Sequence, residues 1–423
     1  MIIDFKVKNF KSINSEVDFS LAASKDDAHV TNTVECEGFE LLKSAAIYGA
    51  NGSGKTTLIN AIAFMQAMVV RSFNHQIGDS INVPKHKMSL QEPSSFDIQY
   101  IYKQTRYAYG FVLEDGAVVE EYLYYFPAGG RQNKIFERKN DDVSFGANFV
   151  SALKMSRALL KPNKLLLSCA ANCGETSAIN IQRTQIVIDA YLFFKTGLVI
   201  HNPHMPSPWI NYTILTLQKD NNIKNVFTKL MNGLGSDLVD LTAKFDRRKI
   251  LAESFPKDIP ADIINFIVGL GEANIPNVVL DYGKFKVSLE EESSGIQKLF
   301  DILCPIIDIV REGKVLLYDE LETSLHESIA KEIINLFLNS NSGAQLIFTT
   351  HDTNLLDLDL FRRDQIWFTE LKKNDRSTDL YSLSDVRNVR KDENVSRGYV
   401  LGRYGAIPIL NKTLLDDLME GRV

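Results

Sequence analysis

The chain opens with two short runs in which apolar and polar residues alternate, Ile2-Ile3-Asp4-Phe5-Lys6-Val7 and Val17-Asp18-Phe19-Ser20-Leu21, around a turn region at 9–15. Alternation of period two predicts half-buried strands. Residues 45–48 are uniformly apolar and predict a short buried strand. A glycine-rich turn follows, and then Leu58, Ile59, Ile62, Met65 and Val69 recur near helical spacing, predicting a helix over 56–70. Residues 72–92 are polar and mixed, contain Pro84, and read as a loop. Alternation returns at 96–102, 107–113 and 118–126, with the hairpin signal Glu114-Asp115-Gly116 between the last two. This antiparallel meander differs in kind from the strand–turn–helix before it.

Residues 146–275 read as mainly helical, with candidate helices at 147–153, 177–198, 210–234 and 258–269. Pro203, Pro206 and Pro208 interrupt them. The most apolar run, 186–200, is broken by Asp189 and Lys195 and reads as a buried helix. None of these segments sustains the apolar heptads of a long coiled-coil arm. Strands resume over 278–289, and an apolar-periodic helix runs to about Arg311. Val315-Leu316-Leu317-Tyr318 is continuously apolar, as expected for a parallel strand covered on both faces. A helix over 328–338 and a second apolar strand, 345–350, complete a βαβ unit. The chain divides on this reading into an N-terminal lobe (1–145), a mainly helical insert (146–277) and a C-terminal lobe (278–423).

Composition adds limits. At 423 residues and 45% hydrophobic content the chain can bury a large core, and a net charge of -6 provides no global field for nucleic acid. Cys36, Cys169, Cys173 and Cys304 are too scattered for a disulfide framework, and Cys169 with Cys173 lacks a second pair for a metal site. His201 and His204 lack a nearby Cys or carboxylate partner and read as loop histidines. The N-terminus is strand-like rather than signal-like, and no apolar stretch reaches about 18 uninterrupted residues. A reduced, cytoplasmic setting without membrane insertion is the expectation.

The chemistry is carried by three strand ends. Gly49, Gly54, Lys55 and Thr56 fit the phosphate-loop spacing G-x-x-x-x-G-K-[ST] between a strand and a helix. In that context backbone N–H groups and the helix N-terminus surround a phosphate, the lysine neutralises β- and γ-phosphate charge, and the threonine hydroxyl ligates Mg²⁺. Gly49, Asn51, Gly52, Ser53, Gly54, Lys55, Thr56 and Thr57 are therefore candidate nucleotide contacts. The run 315–318 ends in Asp319-Glu320, placing two carboxylates at the carboxyl edge of a sheet. Asp319, with Thr56, is the candidate metal ligand, and Glu320 the candidate general base toward the attacking water. His351, ending the neighbouring strand, is a second candidate catalytic group. Ser293-Ser294-Gly295-Ile296-Gln297 opens a helix and offers another anion site in Ser294 and Gly295. Two phosphate-binding helix starts in one subunit point to two copies sharing two nucleotides head to tail.

This set resembles the ABC-type ATPase head of the SMC-like, RecF-like and OLD-like ATPases. Gly49 to Thr56 is similar to Walker A, Ser293 to Gln297 to the ABC signature, Val315 to Glu320 to Walker B, Glu322 to His326 to the D-loop, and His351 to the switch histidine. Phe5-Lys6-Val7-Lys8-Asn9-Phe10-Lys11-Ser12 resembles the first strand and turn of that class, which lies near the adenine, so the resemblance adds Lys11 and Ser12 to the nucleotide contacts. Ile296 replaces the second glycine of the usual signature, and Gln91 and Gln99 are the candidates for the Q-loop. The implied fold is an α/β P-loop NTPase of ABC-ATPase type, with a mixed core sheet, an antiparallel β subdomain and a helical insert. The implied cofactors are ATP and Mg²⁺.

Glu292 to Gln297, Asp319 to His326, Phe348-Thr349-Thr350-His351-Asp352 and Gly402-Arg403-Tyr404-Gly405-Ala406-Ile407-Pro408 together resemble the compact ATPases of bacterial abortive-infection loci, of the RloA and AbiL type, with the PARIS ATPase a looser relative. That resemblance implies anti-phage defence and a TOPRIM or RloB-like nuclease effector, as a separate chain if there is one, while the ABC-head resemblance implies pairing of heads into a homodimer or higher homo-oligomer. About 70 residues follow His351, too few for a fused nuclease. The competing reading is a RecF- or SMC-like DNA-repair ATPase, which would bind nucleic acid through Arg247-Arg248-Lys249, through Lys154, Arg157 and Lys161, or through Arg387, Arg390, Lys391 and Arg397. An ABC-transporter domain fits poorly because of the interrupted signature and the inserts, and a GTPase because no base-reading Asn-Lys-x-Asp follows a late strand.

Overall fold

A computed structural model describes residues 1–76, 78–173, 181–203, 207–249, 262, 268, 271–390 and 393–408. The strands in chain order are β1 (Ile2–Lys8), β2 (Val17–Ser20), β3 (Thr33–Cys36), β4 (Phe39–Leu42), β5 (Ser44–Gly49), β6 (Ser94–Tyr102), β7 (Thr105–Glu114), β8 (Ala117–Phe126), β9 (Asn133–Lys139), β10 (Asp142–Phe145), β11 (Leu198–His201), β12 (Asp240–Lys249), β13 (Glu272–Asp281), β14 (Lys286–Ser288), β15 (Val315–Tyr318), β16 (Gln345–Thr349), β17 (Ile366–Leu371) and β18 (Thr378–Ser382). Two compact units are formed. The first comprises Met1–Asn202, Val310–Glu322 and Ala330–Val423, and the second Pro203–Ile309 and Thr323–Ile329.

In the first unit a six-stranded sheet runs β11-β15-β16-β5-β17-β18. The first five strands are parallel, and β18 is antiparallel to β17. β5, β15 and β16 are buried along their whole length, as continuous apolar runs require. A second, seven-stranded sheet runs β10-β9-β8-β7-β6-β1-β2, antiparallel throughout. Here the alternation seen in the sequence divides the faces: Phe5, Val7, Phe96, Ile98, Tyr107, Tyr109 and Phe111 turn into the core. The helix α1 (Lys55–Arg71) buries Leu58, Ile59, Ile62, Met65 and Val69 in that same core. By length and composition alone, Lys55–Asn74 is apolar enough to cross a membrane. The expected α/β P-loop class, with a mixed core sheet and a separate antiparallel sheet, is what the structure has.

The stretch expected to be mainly helical departs from expectation in three places. The helix at 177–198 is a helix only over Ile181–Leu192, with 174–180 outside the described residues. A π turn, Phe193–Gly197, ends it, and Leu198–His201 is a strand pairing with β15. β-branched Val199 and Ile200 after Gly197 favour that extension. His201 is thus a strand-end residue rather than a loop histidine, and its ring stacks on Tyr318 at 4.1 Å. His204, Lys391 and the helix at 258–269, save Asp262 and Val268, lie outside the described residues.

In the second unit the single helix expected at 210–234 is two, Trp209–Lys219 and Asn221–Gly233. Asp220 takes an extended conformation between them and caps the second helix by accepting from the Asn222 N–H at 2.7 Å. β12, absent from the sequence reading, pairs antiparallel with β13 along ten residues of each. Leu241, Val278 and Leu280 then join Ile214, Phe227, Met231 and Phe300 in this unit's own core.

Candidate functional site

β5 delivers Gly49 to the carboxyl edge of the parallel sheet, and α1 begins six residues later at Lys55. Asn51 and Gly52 form the exposed tip of the intervening loop, while Ser53, Gly54 and Lys55 are buried. Gly54 has φ 114°, and a Cβ on it would collide with the side chain of Thr378. The Lys55 ammonium donates to the carbonyls of Gly49 (2.7 Å) and Ala50 (3.2 Å) and lies 3.5 Å from His351 Nδ1. Burial, the larger cause, brings its pKa down to about 8, against the opposing pull of Asp319, Glu322 and Glu320.

Register then aligns the other strand ends. Tyr318 of β15 pairs with Phe348 of β16, and Thr349 with Ile47 of β5. Asp319 is wholly buried. Its Oδ1 accepts from Thr349 Oγ1 (2.6 Å) and Thr56 Oγ1 (3.2 Å), and its Oδ2 has no partner among the described residues. Glu320 follows in the left-handed region, φ 55°, and its N–H donates to Thr349 Oγ1 at 2.8 Å. The His351 N–H donates to Glu322 Oε1 at 2.6 Å. His351 is exposed as a residue, but partial shielding of its ring, and then the Lys55 charge, lower the imidazole pKa and favour the neutral form. The structure thus brings Gly49, Lys55, Thr56, Asp319, Glu320 and His351 to one edge of one sheet.

A chain of hydroxyls fixes the back of the loop; the sequence reading named Ser12, Ser53 and Thr57 as nucleotide contacts but neither Thr369 nor Thr378, which complete the chain. Ser53 Oγ bonds Thr369 Oγ1 on β17 at 2.6 Å. Thr378 Oγ1 on β18 is 2.9 Å from the Ser53 carbonyl and 2.8 Å from Ser12 Oγ, and Ser12 Oγ in turn donates to Thr57 Oγ1 at 3.1 Å. Ser12 is therefore joined to the loop through its hydroxyl. Lys11 is exposed, and its backbone N–H donates to Pro84 O at 2.5 Å. The apolar run Ile366-Trp367-Phe368 was the available signal for β17. Gln99, one Q-loop candidate, accepts from Arg106 on the face of the antiparallel sheet, and Gln91 is exposed. Ser294 and Gly295 belong to the second unit, where they open the helix Ser294–Arg311 with Ser294 exposed.

The donor set suits Mg²⁺: a hydroxyl and a carboxylate are hard oxygen ligands, and a buried carboxylate oxygen without a partner is an expensive group that a cation would satisfy. Among the described residues no group of three or more His, Cys, Asp or Glu forms a separate metal site.

Residues 44–164 and 228–357, more than half of the chain, match the family described as "AAA domain, putative AbiEii toxin, Type IV TA system". The chain belongs to this AAA-domain family. No curated protein matches it. Among solved structures, the SMC head bound to the C-winged helix domain of ScpA aligns with this AAA-domain chain at 14% identity and a TM-score of 0.41, covering 90% of this chain and 97% of that one. The SMC head domain from Thermotoga maritima aligns at 11% identity and a TM-score of 0.37, covering 90% and 98%. The SMC head with an extended coiled coil bound to the C-terminal domain of ScpA, derived from Pyrococcus furiosus, aligns at 14% and 0.37, covering 90% and 96%.

Proposed function

We propose that the chain is an ATP-binding and ATP-hydrolysing switch of a bacterial anti-phage, abortive-infection system, of the RloA or AbiL type, acting in the cytoplasm. The observation that carries the enzymatic part is the meeting of Lys55, the Thr56–Asp319 pair, Glu320 and His351 at one carboxyl edge, with Asp319 Oδ2 unpartnered among the described residues. The family description, with its type IV toxin–antitoxin context, supports the defence setting.

In this reading the triphosphate displaces Lys55 from the Gly49 and Ala50 carbonyls, and the ammonium takes β- and γ-phosphate oxygens instead. Backbone N–H groups of the 49–57 loop bind the remaining oxygens. Thr56 Oγ1 and Asp319 Oδ2 are the residues that would hold Mg²⁺, which when bound supplies neutralising charge on the phosphates. Glu320 accepts the proton of a water attacking the γ-phosphorus as the bond to the β,γ-bridging oxygen breaks. Neutral His351 donates to a γ-oxygen, or exchanges a hydrogen bond with that water. Lys11 and Ser12 lie toward the base. Ser294 and Gly295 of one copy close on the nucleotide held by another, so ATP makes the pair and hydrolysis releases it. A separate nuclease of TOPRIM or RloB-like type reads the closure.

Three measurements test this. The wild-type chain turns over ATP with Mg²⁺, and Lys55→Ala loses nucleotide binding by about two orders of magnitude or more; equal binding by the two would refute the site. Glu320→Gln enlarges in sizing experiments on addition of ATP, and an unchanged monomer would refute head pairing. Co-expression with the neighbouring open reading frame yields an ATP-dependent complex with nuclease activity. Turnover stimulated by DNA with a steep salt dependence would instead favour the repair-type reading, for which Arg247, Arg248 and Lys249, all exposed at the end of β12, are the local basic group.

A further inference from the structure

β16 is a fully buried strand in the middle of the parallel sheet, and Leu346, Ile347 and Phe348 fill it as expected. The next position, Thr349, is equally buried. Valine has the same shape and no polar atom, so a hydroxyl here answers a local polar demand rather than a packing one.

The demand is visible. A hydroxyl has one proton to donate and lone pairs to accept with. Thr349 donates its proton to Asp319 Oδ1 at 2.6 Å and accepts the Glu320 N–H at 2.8 Å. One side chain on the neighbouring strand therefore holds the carboxylate of one residue and the backbone of the next. Glu320 needs such a hold: it sits at φ 55°, in the left-handed region that a Cβ disfavours. Asp319 shows the consequence. Oδ1 is occupied by Thr349 and Thr56, and Oδ2 is left without a partner among the described residues. The adjacent Thr350 has a different task, its Oγ1 accepting the Asp352 N–H at 3.0 Å.

We propose that Thr349 is a positioning residue of the site: its hydroxyl orients Asp319 so that one carboxylate oxygen remains for a divalent cation, and pins the left-handed turn that sets Glu320. This inference rests on the ATP-hydrolysis reading above.

The test compares full-length Thr349→Val, which keeps the shape and removes the hydroxyl, with Thr349→Ser, which keeps the hydroxyl. A fluorescent ATP analogue is titrated with and without Mg²⁺, the Mg²⁺ concentration for half-maximal effect on affinity is read, and turnover is measured alongside. Thr349→Val retains wild-type affinity for nucleotide without metal, while its Mg²⁺ requirement rises and its turnover falls, each by about 10–100-fold, the range for removal of a group that orients a metal ligand. Thr349→Ser stays within a few-fold of wild type in both. Thr349→Ala, read in the same way, replaces the valine variant if that chain does not fold. Wild-type Mg²⁺ dependence in the valine or alanine variant overturns the inference, as does a serine variant as impaired as valine, which would assign the effect to packing. A wild-type chain that binds no ATP overturns the functional reading, and the inference with it. A wild type that binds ATP, beside a valine variant identical to it, overturns the inference alone.

Discussion

Asp319 and Glu121 are both wholly buried carboxylates, one at the edge of the parallel sheet and one within the antiparallel sheet, and their surroundings treat them in opposite ways. Glu121 is saturated. Its Oε1 accepts from Tyr109 (3.0 Å) and the Leu167 N–H (3.0 Å), and its Oε2 accepts from the Leu166 N–H (2.6 Å) and lies 3.8 Å from buried Arg138. Asp319 is half satisfied among the described residues, with both donors on one oxygen. Buried polar groups in folded proteins are paired almost without exception, so a saturated carboxylate is accounted for by the fold, while a half-satisfied one at a strand end is a candidate ligand for a cation. The two sheets follow the same division. The antiparallel sheet sends most of its polar side chains outward by alternation, and where it buries Glu121 and Arg138 it pairs them. The parallel sheet is covered on both faces and can place chemistry only where its strands stop, after Tyr48, Tyr318 and Thr349.

The largest effect that bears on this contrast is expected at the parallel edge. Glu320→Gln lowers turnover by about 10²–10⁴-fold, the range for loss of a general base, and leaves ATP binding intact. Single-turnover hydrolysis checks it, and a wild-type rate would remove Glu320 from the chemistry. Next comes the antiparallel counterpart. Glu121→Ala strands buried Arg138 and the two N–H groups, and is expected to lower stability by about 3–5 kcal/mol in denaturant unfolding. ATP affinity of the folded fraction should not change; if it does, the separation of the two sheets into structural and chemical halves fails.

Smaller effects sharpen the contrast within the site. Thr378→Val removes the bonds to Ser53 O and Ser12 Oγ. It should cost about 1–2 kcal/mol of stability and weaken ATP by several-fold, because the back of the phosphate loop loses its tie to β18. Thermal melting and nucleotide titration measure both, and unchanged values would make the hydroxyl chain incidental.

The smallest effect is a pH dependence. Burial brings the Lys55 pKa down to about 8 from an ordinary value of 10.5. The side chain is charged below about 8 and loses its proton above, so ATP affinity should fall by at most about tenfold between pH 7 and 9. Over the interval from about 8 to 10.5 the unfolded chain binds the proton that the folded chain has released, so unliganded stability rises with pH while affinity falls. An ATP affinity flat across pH 7–9 would contradict this.

Much of the site was readable because its parts are local. Gly49, Gly54, Lys55 and Thr56 are fixed by spacing within one strand–turn–helix, and Asp319, Glu320 and His351 mark the ends of runs whose apolar character announces buried parallel strands. The antiparallel meander was readable from its alternation. The misread segments lacked such periodic support. β11 continues an apolar run that looks helical, and β12 pairs with a strand beginning more than twenty residues later.

The sequence by itself determined the phosphate loop, the acidic strand end and the two kinds of sheet, because each is a property of neighbouring residues and their periodicity. Tertiary structure alone decided that Thr349 reaches across to Asp319 and Glu320, and that Ser12, Thr369 and Thr378 meet behind the loop. It also decided that both donors to Asp319 among the described residues fall on one oxygen. Those bonds join residues 29 to 366 positions apart, and strand register, set by the packing of the whole sheet, is what brings such partners within hydrogen-bonding distance.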